Sequence, residues 1–382
     1  MAKSNEKKKK KTSWQQYLGM IFMILIGIFC GIIMALYIDK SSADTTAFQK
    51  IISFAVLFIS LYVALLFHII IHEAGHLVFG LMTGYKFSSF RIASFMWLKE
   101  SGKIKLKRVS IAGTAGQCLM APPDMKDGRL PIVLYNLGGS FFNLITGVLF
   151  LSLFLFITDI PLLSPILLIF AIIGFMTAMI NGIPMRMGTV DNDGYNAFDL
   201  SKNKEAVEAF WMQLKVVEQT SKGIRLKDMP AEWFDIPTDE SMKNSMVATR
   251  CVFACNRLMD EEKFEEADAL MAHLLEIESG IVGLHHDLLI CDRIYVELIR
   301  ENRSDVIEGM LTKEQKQFMK AMKRFPSVLR TQYALALLWE KNVSRAETIK
   351  RDFEKAVKSY PYPHEIEAER DLMLIAERVC KS

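Results

Sequence analysis

Phe67-His68-Ile69-Ile70-Ile71-His72-Glu73-Ala74-Gly75-His76-Leu77-Val78-Phe79 sets three histidines and one glutamate inside a run of apolar side chains. Residues four apart on a helix stand one above the other, so His72 and His76 can present imidazole nitrogens to one metal ion. Glu73, one position round from His72, can reach a water on that ion and take its proton as general base. The same spacing arises by chance on polar faces of soluble helices. Here the neighbours are apolar, and an ionisable group near a bilayer centre costs about 2.5–3.5 kcal/mol on insertion scales. It needs a partner, and a metal supplies one. His68, one turn back on the same face, reads most simply as hydrogen-bonded to a neighbouring helix. A role beside the metal or as a proton carrier is the alternative.

Outward from this stretch the chain keeps its apolar character. Hydrophobic residues make up 51% of its 382 positions, and the mean hydropathy is +0.21. A bilayer core of about 30 Å needs about 20 apolar residues in a helix, which bonds its own backbone where water is absent. Four segments qualify, over residues 17–38, 51–82, 131–157 and 162–184. The first follows Lys7–Lys11, but its apolar part is longer than a signal-peptide core and no small-residue cleavage pattern follows Ile38. It therefore reads as a span behind a basic N-terminus, residues 1–16.

Lys and Arg are retained on the cytoplasmic side. Residues 1–199 hold 18 Lys/Arg against 11 Asp/Glu, although the whole chain carries only 46 against 43. The lysine run and the connection Gly84 to Leu130, with Lys86, Arg91, Lys99, Lys103, Lys105 and Lys107 among its cations, should both lie inside. The short connections around Asp44 and Asp159 should face out. Both termini are then cytoplasmic, and size and lysine-rich character suggest a bacterial cell membrane. Within 84–130, Phe90-Arg91-Ile92 and Ile104-Lys105-Leu106-Lys107 alternate apolar and polar residues, with Ser101-Gly102 as a turn, which predicts a small β-hairpin or sheet at the membrane surface.

Catalytic zinc takes three protein ligands and keeps one position open. After the fourth span the chain reads Asn181-Gly182-Ile183-Pro184-Met185-Arg186-Met187-Gly188-Thr189-Val190-Asp191-Asn192-Asp193-Gly194. Pro184 ends the helix, and Gly194 is expected to use backbone angles that turn a preceding carboxylate inward. Asp191 and Asp193 both become candidate ligands.

The HExxH segment followed two spans later by Asn-x-x-Pro and Asp-Gly resembles the site-2 protease family of intramembrane zinc metalloproteases. That resemblance covers about residues 50–200. It implies Zn2+ as cofactor, His72 and His76 as ligands, Glu73 as base and Asp193 as third ligand, with Asn181 holding the unfolded substrate backbone or the developing oxyanion. Eight residues separate Pro184 from Asp193, more than in the commonest family pattern, which keeps Asp191 as a rival. A Gly-Pro-x-x-Asn segment of the family stands here as Gly139-Ser140-Phe141-Phe142-Asn143, without proline. Asn143 is expected to face the active site and, with Asn181, to support the substrate or the oxyanion, although Gly138 and Gly139 equally suit tight helix packing. No segment resembles the PDZ domain that some members insert.

Residues 201–240 read as a linker region and 241–382 as an all-α cytosolic domain, with Leu, Met and Ala at helical spacing. Phe318-Met319-Lys320-Ala321-Met322-Lys323-Arg324-Phe325-Pro326 recurs as Phe353-Glu354-Lys355-Ala356-Val357-Lys358-Ser359-Tyr360-Pro361. The offset lies near the roughly 34-residue period of tetratricopeptide repeats, which Phe-x-x-Ala-x-x-x-x-Pro also resembles. Such arrays bind protein partners on a concave face. The six cysteines form no CxxC pair, so neither a disulfide framework nor a thiolate zinc site is indicated. Cys251 and Cys255 share a helix face as small buried hydrophobes. The charge balance gives no footprint for nucleic acid.

The fold class is therefore mainly α: a multi-pass integral membrane protein with four transmembrane helices, a small cytosolic sheet between spans 2 and 3, and a helical-repeat domain. The metalloprotease domain covers residues 17–200. The expected substrates are transmembrane segments or hydrophobic peptides, met in the lipid bilayer. The rival from another class is a non-catalytic membrane scaffold with a structural zinc site.

Overall fold

The computed structural model describes residues 14–39, 45–100, 102–109, 115–125, 127–157, 160, 162–185, 191–358, 360 and 362–381. The lysine run Lys7–Lys11, the connections around Asp44 and Asp159, Ser101 of the expected turn and residues 186–190 lie outside these. The chain divides into two compact units, residues 1–72 with 139–197 and residues 73–138 with 198–382.

The first unit contains α1 (Trp14–Asp39), the start of α2 (Ala47–Met82), most of α3 (Ile132–Phe156) and α4 (Leu163–Gly182). Helices α2, α3 and α4 are each long and apolar enough to cross a membrane, while the described apolar part of α1 is the shorter stretch Ile24–Ile38. Apolar side chains surround these helices, as expected where the outer face meets lipid rather than water. Ile51, Phe54, Ile59 and Leu66 of α2 are exposed, while Leu57 and Ala64 pack inward on Cys30, Met34, Ile169 and Ile173. Helix α4 stops at Gly182 because Pro184 disfavours helical angles at the residue before it. Ile183 is extended accordingly, and its N–H still donates to the Met179 carbonyl at 3.0 Å.

The second unit continues α2 and adds an antiparallel sheet of β1 (Lys86–Ile92), β2 (Phe95–Glu100), β3 (Lys103–Arg108) and β4 (Gly116–Ala121) in the order β3-β2-β1-β4. Glu100 pairs with Lys103 across Gly102, whose φ of 79° suits a residue without Cβ. The alternation of 84–130 thus builds four strands, and the irregular register of β1 against β4 at Phe87 and Ser89 bends the inner strand.

The rest of this unit is helical: α5 (Asp193–Leu200) enters it, followed by α6 (Lys204–Ser221), α7 (Ser245–Asp260), α8 (Phe264–Glu276), α9 (Gly283–Ile299), α10 (Ser304–Met310), α11 (Lys313–Ala321), α12 (Pro326–Ala334), α13 (Val343–Val357) and α14 (Pro363–Lys381). Side-chain caps start several of them, Asn203 accepting from Ala206 N–H, Asn244 from Met246 and Val247, Thr312 from Gln315 and Asn342 from Arg345. Cys251 and Cys255 are fully buried with Leu289, Ile294 and Tyr295 in the main core of this region. A π-helical turn, Leu335–Trp339, interrupts the chain after α12.

Candidate metal centre

Helix α2 carries His68, His72 and His76 one turn apart, and glycines on its neighbours make room for their rings. A Cβ on Gly139 would stand 2.5 Å from the His72 ring and one on Gly174 would stand 2.7 Å from His68. One on Gly138 would stand 2.6 Å from the Gly75 carbonyl oxygen. Only glycine allows helices to close to this distance.

The unwound end of α4 is tied to the start of α5 by Asn192. Its Oδ1 accepts from the N–H groups of Met185 at 3.0 Å and Tyr195 at 2.8 Å, and its Nδ2 donates to the carbonyls of Ile180 and Ile183, both at 2.6 Å. Asn192 is thus an N-cap for α5 and a clasp on the chain before it. Gly194 does not adopt the special angles expected of it, since it is absent from the positive-φ glycines and lies in the first turn of α5. Glycine is required there for a different reason: a Cβ would stand 2.3 Å from the Gly182 carbonyl oxygen. Together these contacts bring Asp193 Oδ2 to 2.9 Å from Nε2 of His72.

His76 turns its Nδ1–H to the Tyr135 carbonyl, 2.7 Å away. Tyr135 is itself fixed, its hydroxyl donating to the Cys118 carbonyl at 2.9 Å and its ring stacking on Tyr85 at 4.6 Å. His72, His76 and Asp193 offer ligand atoms that all lie within 4.8 Å of one another. Asp193, rather than Asp191, supplies the carboxylate of this group.

Two imidazoles and one carboxylate match the donor set of a catalytic zinc, three protein ligands and one open position. The Tyr135 carbonyl adds an independent sign of fit. Metal-bound histidines donate their second ring N–H to an outer acceptor, and that bond leaves His76 Nε2 with its lone pair for the ion.

Glu73 is buried at 7% exposure. A Cβ on Gly116, the first residue of edge strand β4, would stand 2.4 Å from Glu73 Oε1 and 2.7 Å from its Cγ, so the strand backbone passes against the carboxyl group. Arg91 on β1 is fully buried, donating to the carbonyls of Ala93 at 2.7 Å and Gly116 at 3.2 Å. Burial pulls the Arg91 guanidinium below its ordinary pKa, and the Glu73 charge partly restores it. Burial and the same carboxylate push the Cys118 thiol up, so this cysteine stays protonated and is no nucleophile.

Of the polar residues singled out in the spans, Asn181 donates to the Thr177 carbonyl of its own helix at 3.0 Å. Asn143 is fully buried between two histidines, 3.2 Å from Nδ1 of His72 and 3.2 Å from Nδ1 of His68. His68 also reaches the Phe170 carbonyl of α4 at 2.9 Å, a bond to a neighbouring helix. Three residues escape a reading by motif. Asn192 carried a visible signal, an Asn three positions before the third helical N–H. Tyr135 and Gly116 act through their backbone, and nothing in their side-chain type announces it.

The model of peptidase family M50 matches residues 60–359. No curated protein and no solved structure matches the chain.

Proposed function

The chain belongs to peptidase family M50, whose members are zinc metalloproteases, and on that premise we propose that it hydrolyses peptide bonds in or beside transmembrane segments of membrane proteins or in hydrophobic peptides. The observation that carries this reading is the convergence of His72, His76 and Asp193 next to a buried carboxyl group, Glu73, in an apolar helix long enough to span a bilayer.

Zinc in such a site lowers the pKa of a water and polarises the scissile carbonyl. His72, His76 and Asp193 would hold it, the Tyr135 carbonyl fixing the His76 ring and Asn192 fixing the chain that bears Asp193. Glu73 takes the proton of the attacking water and passes it to the leaving amine, a role in which a positioned carboxyl group contributes about 10²- to 10⁴-fold. Asn181 is assigned to the substrate backbone or the developing oxyanion.

A helical substrate hides its carbonyls in its own hydrogen bonds, so it must unwind before cleavage. An extended segment laid along the edge of the sheet beside Gly116 would pass the Glu73 carboxyl group. Substrates with helix-breaking residues near the cytosolic third of their span are the favoured class. Helix α1 is assigned as the first of four crossings, with both termini cytoplasmic. The helices of residues 241–382, with their tetratricopeptide-like repeat, are assigned to recruiting substrate or a protein partner. Removing residues 215–382 should then lower cleavage of some substrates, and unchanged cleavage of all of them contradicts that assignment.

A non-catalytic scaffold with structural zinc needs no base, and the placement of Glu73 against Gly116 disfavours it. Glu73→Gln separates the two readings. It should keep its zinc and lose cleavage of a reconstituted transmembrane substrate, whereas full cleavage by this variant would exclude the proposed chemistry.

A further inference from the structure

Asn143 and His68 stand next to His72, fully buried, and neither belongs to the group of candidate ligands. The Asn143 amide spans the gap between Nδ1 of His68 and Nδ1 of His72, each 3.2 Å away. His68 is fixed at its other end, Nε2 donating to the Phe170 carbonyl at 2.9 Å, and Gly174 of α4 leaves space for its ring. A carbonyl only accepts, so Nε2 of His68 is an N–H group.

The two faces of the amide are not equivalent. With Nδ2 toward His72, as in this structure, Asn143 donates to His72 Nδ1, and the ring proton of a neutral His72 sits on Nε2, pointing at Asp193 Oδ2 at 2.9 Å. That nitrogen then has no lone pair for a metal. In the same orientation His68 meets acceptors at both ring nitrogens, Asn143 Oδ1 and the Phe170 carbonyl, which a neutral ring cannot satisfy. Turning the amide by half a revolution repairs both ends. Nδ2 then donates to the lone pair of neutral His68, and Oδ1 accepts from His72 Nδ1–H, which frees His72 Nε2 for the ion.

We propose that His68 and Asn143 are positioning residues that set the tautomer of His72: the Phe170 carbonyl fixes the His68 ring, neutral His68 holds the Asn143 amide with its oxygen toward His72, and that oxygen holds the His72 proton on Nδ1. The arrangement is the counterpart, for His72, of the Tyr135 carbonyl at His76. It rests on the metalloprotease reading above, and its consequence is metal affinity, since loss of an outer partner typically costs about 10- to 100-fold in metal binding.

The test is zinc affinity of the full chain in detergent, by competition with a chelator, together with thermal unfolding of the metal-free protein. His68→Leu removes the group that orients the amide and should bind zinc about 10-fold or more weakly than wild type, while the unfolding of the metal-free protein shows that the variant is folded. Asn143→Asp, which presents an oxygen to His72 in either orientation, should restore tight binding in the His68→Leu background. A purely structural role for His68 gives no such rescue. Should His68→Leu fail to fold, His68→Met makes the same comparison. Wild-type affinity in the His68 variant, or failure of Asn143→Asp to rescue, overturns the relay while leaving the zinc site standing. A wild-type chain without zinc overturns the metalloprotease reading itself.

Discussion

Nε2 of His72 and Oδ2 of Asp193 stand 2.9 Å apart although 121 positions separate them in the chain. The contact is made because α4 is cut short at Pro184 and Asn192 clasps the returning chain. A span that stayed helical past Gly182 would carry the aspartates away from His72.

The assignment of Asp193 over Asp191 is directly testable. Asp193→Ala should lower zinc affinity by more than the roughly 100-fold upper range for outer partners, because a direct ligand is lost. Asp191→Asn should hold zinc as wild type does. Chelator competition on both variants decides, and the reverse pattern contradicts the assignment.

Asn192 makes four hydrogen bonds with backbone groups, and Asn192→Ala leaves those groups without their partner. A lost cap costs about 1 kcal/mol and an unsatisfied buried group about 1–3 kcal/mol. Thermal unfolding should therefore begin at lower temperature in this variant, and its zinc should exchange faster. Unchanged unfolding with unchanged zinc exchange would show that Asp193 is positioned by other contacts.

Gly116 tests the placement of the base without touching it. Gly116→Ala puts a methyl group where the Glu73 carboxyl now lies, and misplacing a reacting group by about 1 Å can cost about 10²-fold. The expected outcome is a fall of that order in kcat with zinc content unchanged. A Gly116→Ala enzyme as fast as wild type means that the strand does not confine Glu73.

Glu365 gives the helical region a pH signature. It borders a cavity of about 280 Å³ shared with His285 and Arg330. Desolvation in the wall of this cavity pushes Glu365 up to about 7 from a usual 4.5, although the residue as a whole is exposed, and a hydrogen bond from Tyr360 only partly opposes it. The folded chain holds this proton at pH values where the unfolded chain has lost it. The contribution of Glu365 to stability is therefore full below about 4.5 and lost as pH rises through about 7. Glu365→Gln should remove this component, so its Tm should gain on that of wild type as pH rises across the window. Parallel Tm profiles for the two proteins contradict the shift.

Much of this fold is legible in the sequence because lipid removes alternatives. The expected spans 51–82, 131–157 and 162–184 and the helices Ala47–Met82, Ile132–Phe156 and Leu163–Gly182 differ by a few residues at their ends, since a long apolar run can only be a helix there. The connection 84–130 gave its strand character through alternation, but the order β3-β2-β1-β4 depends on long-range pairing of β1 with β4 that local pattern does not encode. Helical spacing alone set His72 above His76. The reason for glycine at 194 did not follow from its type, because the close approach of the Gly182 carbonyl is a tertiary fact. Contacts made by backbone atoms, such as Tyr135 with His76 and Gly116 with Glu73, are invisible to any reading of side chains.

The central claim is one zinc ion held by His72, His76 and Asp193, and X-ray absorption at the zinc edge of the purified chain, with metal quantified per protein, tests it most directly. One zinc per chain in a shell of two imidazole nitrogens and carboxylate oxygen is the predicted result, with that shell lost in Asp193→Ala. A chain that cleaves its substrate without zinc, or a zinc shell of cysteine sulfur, would contradict it.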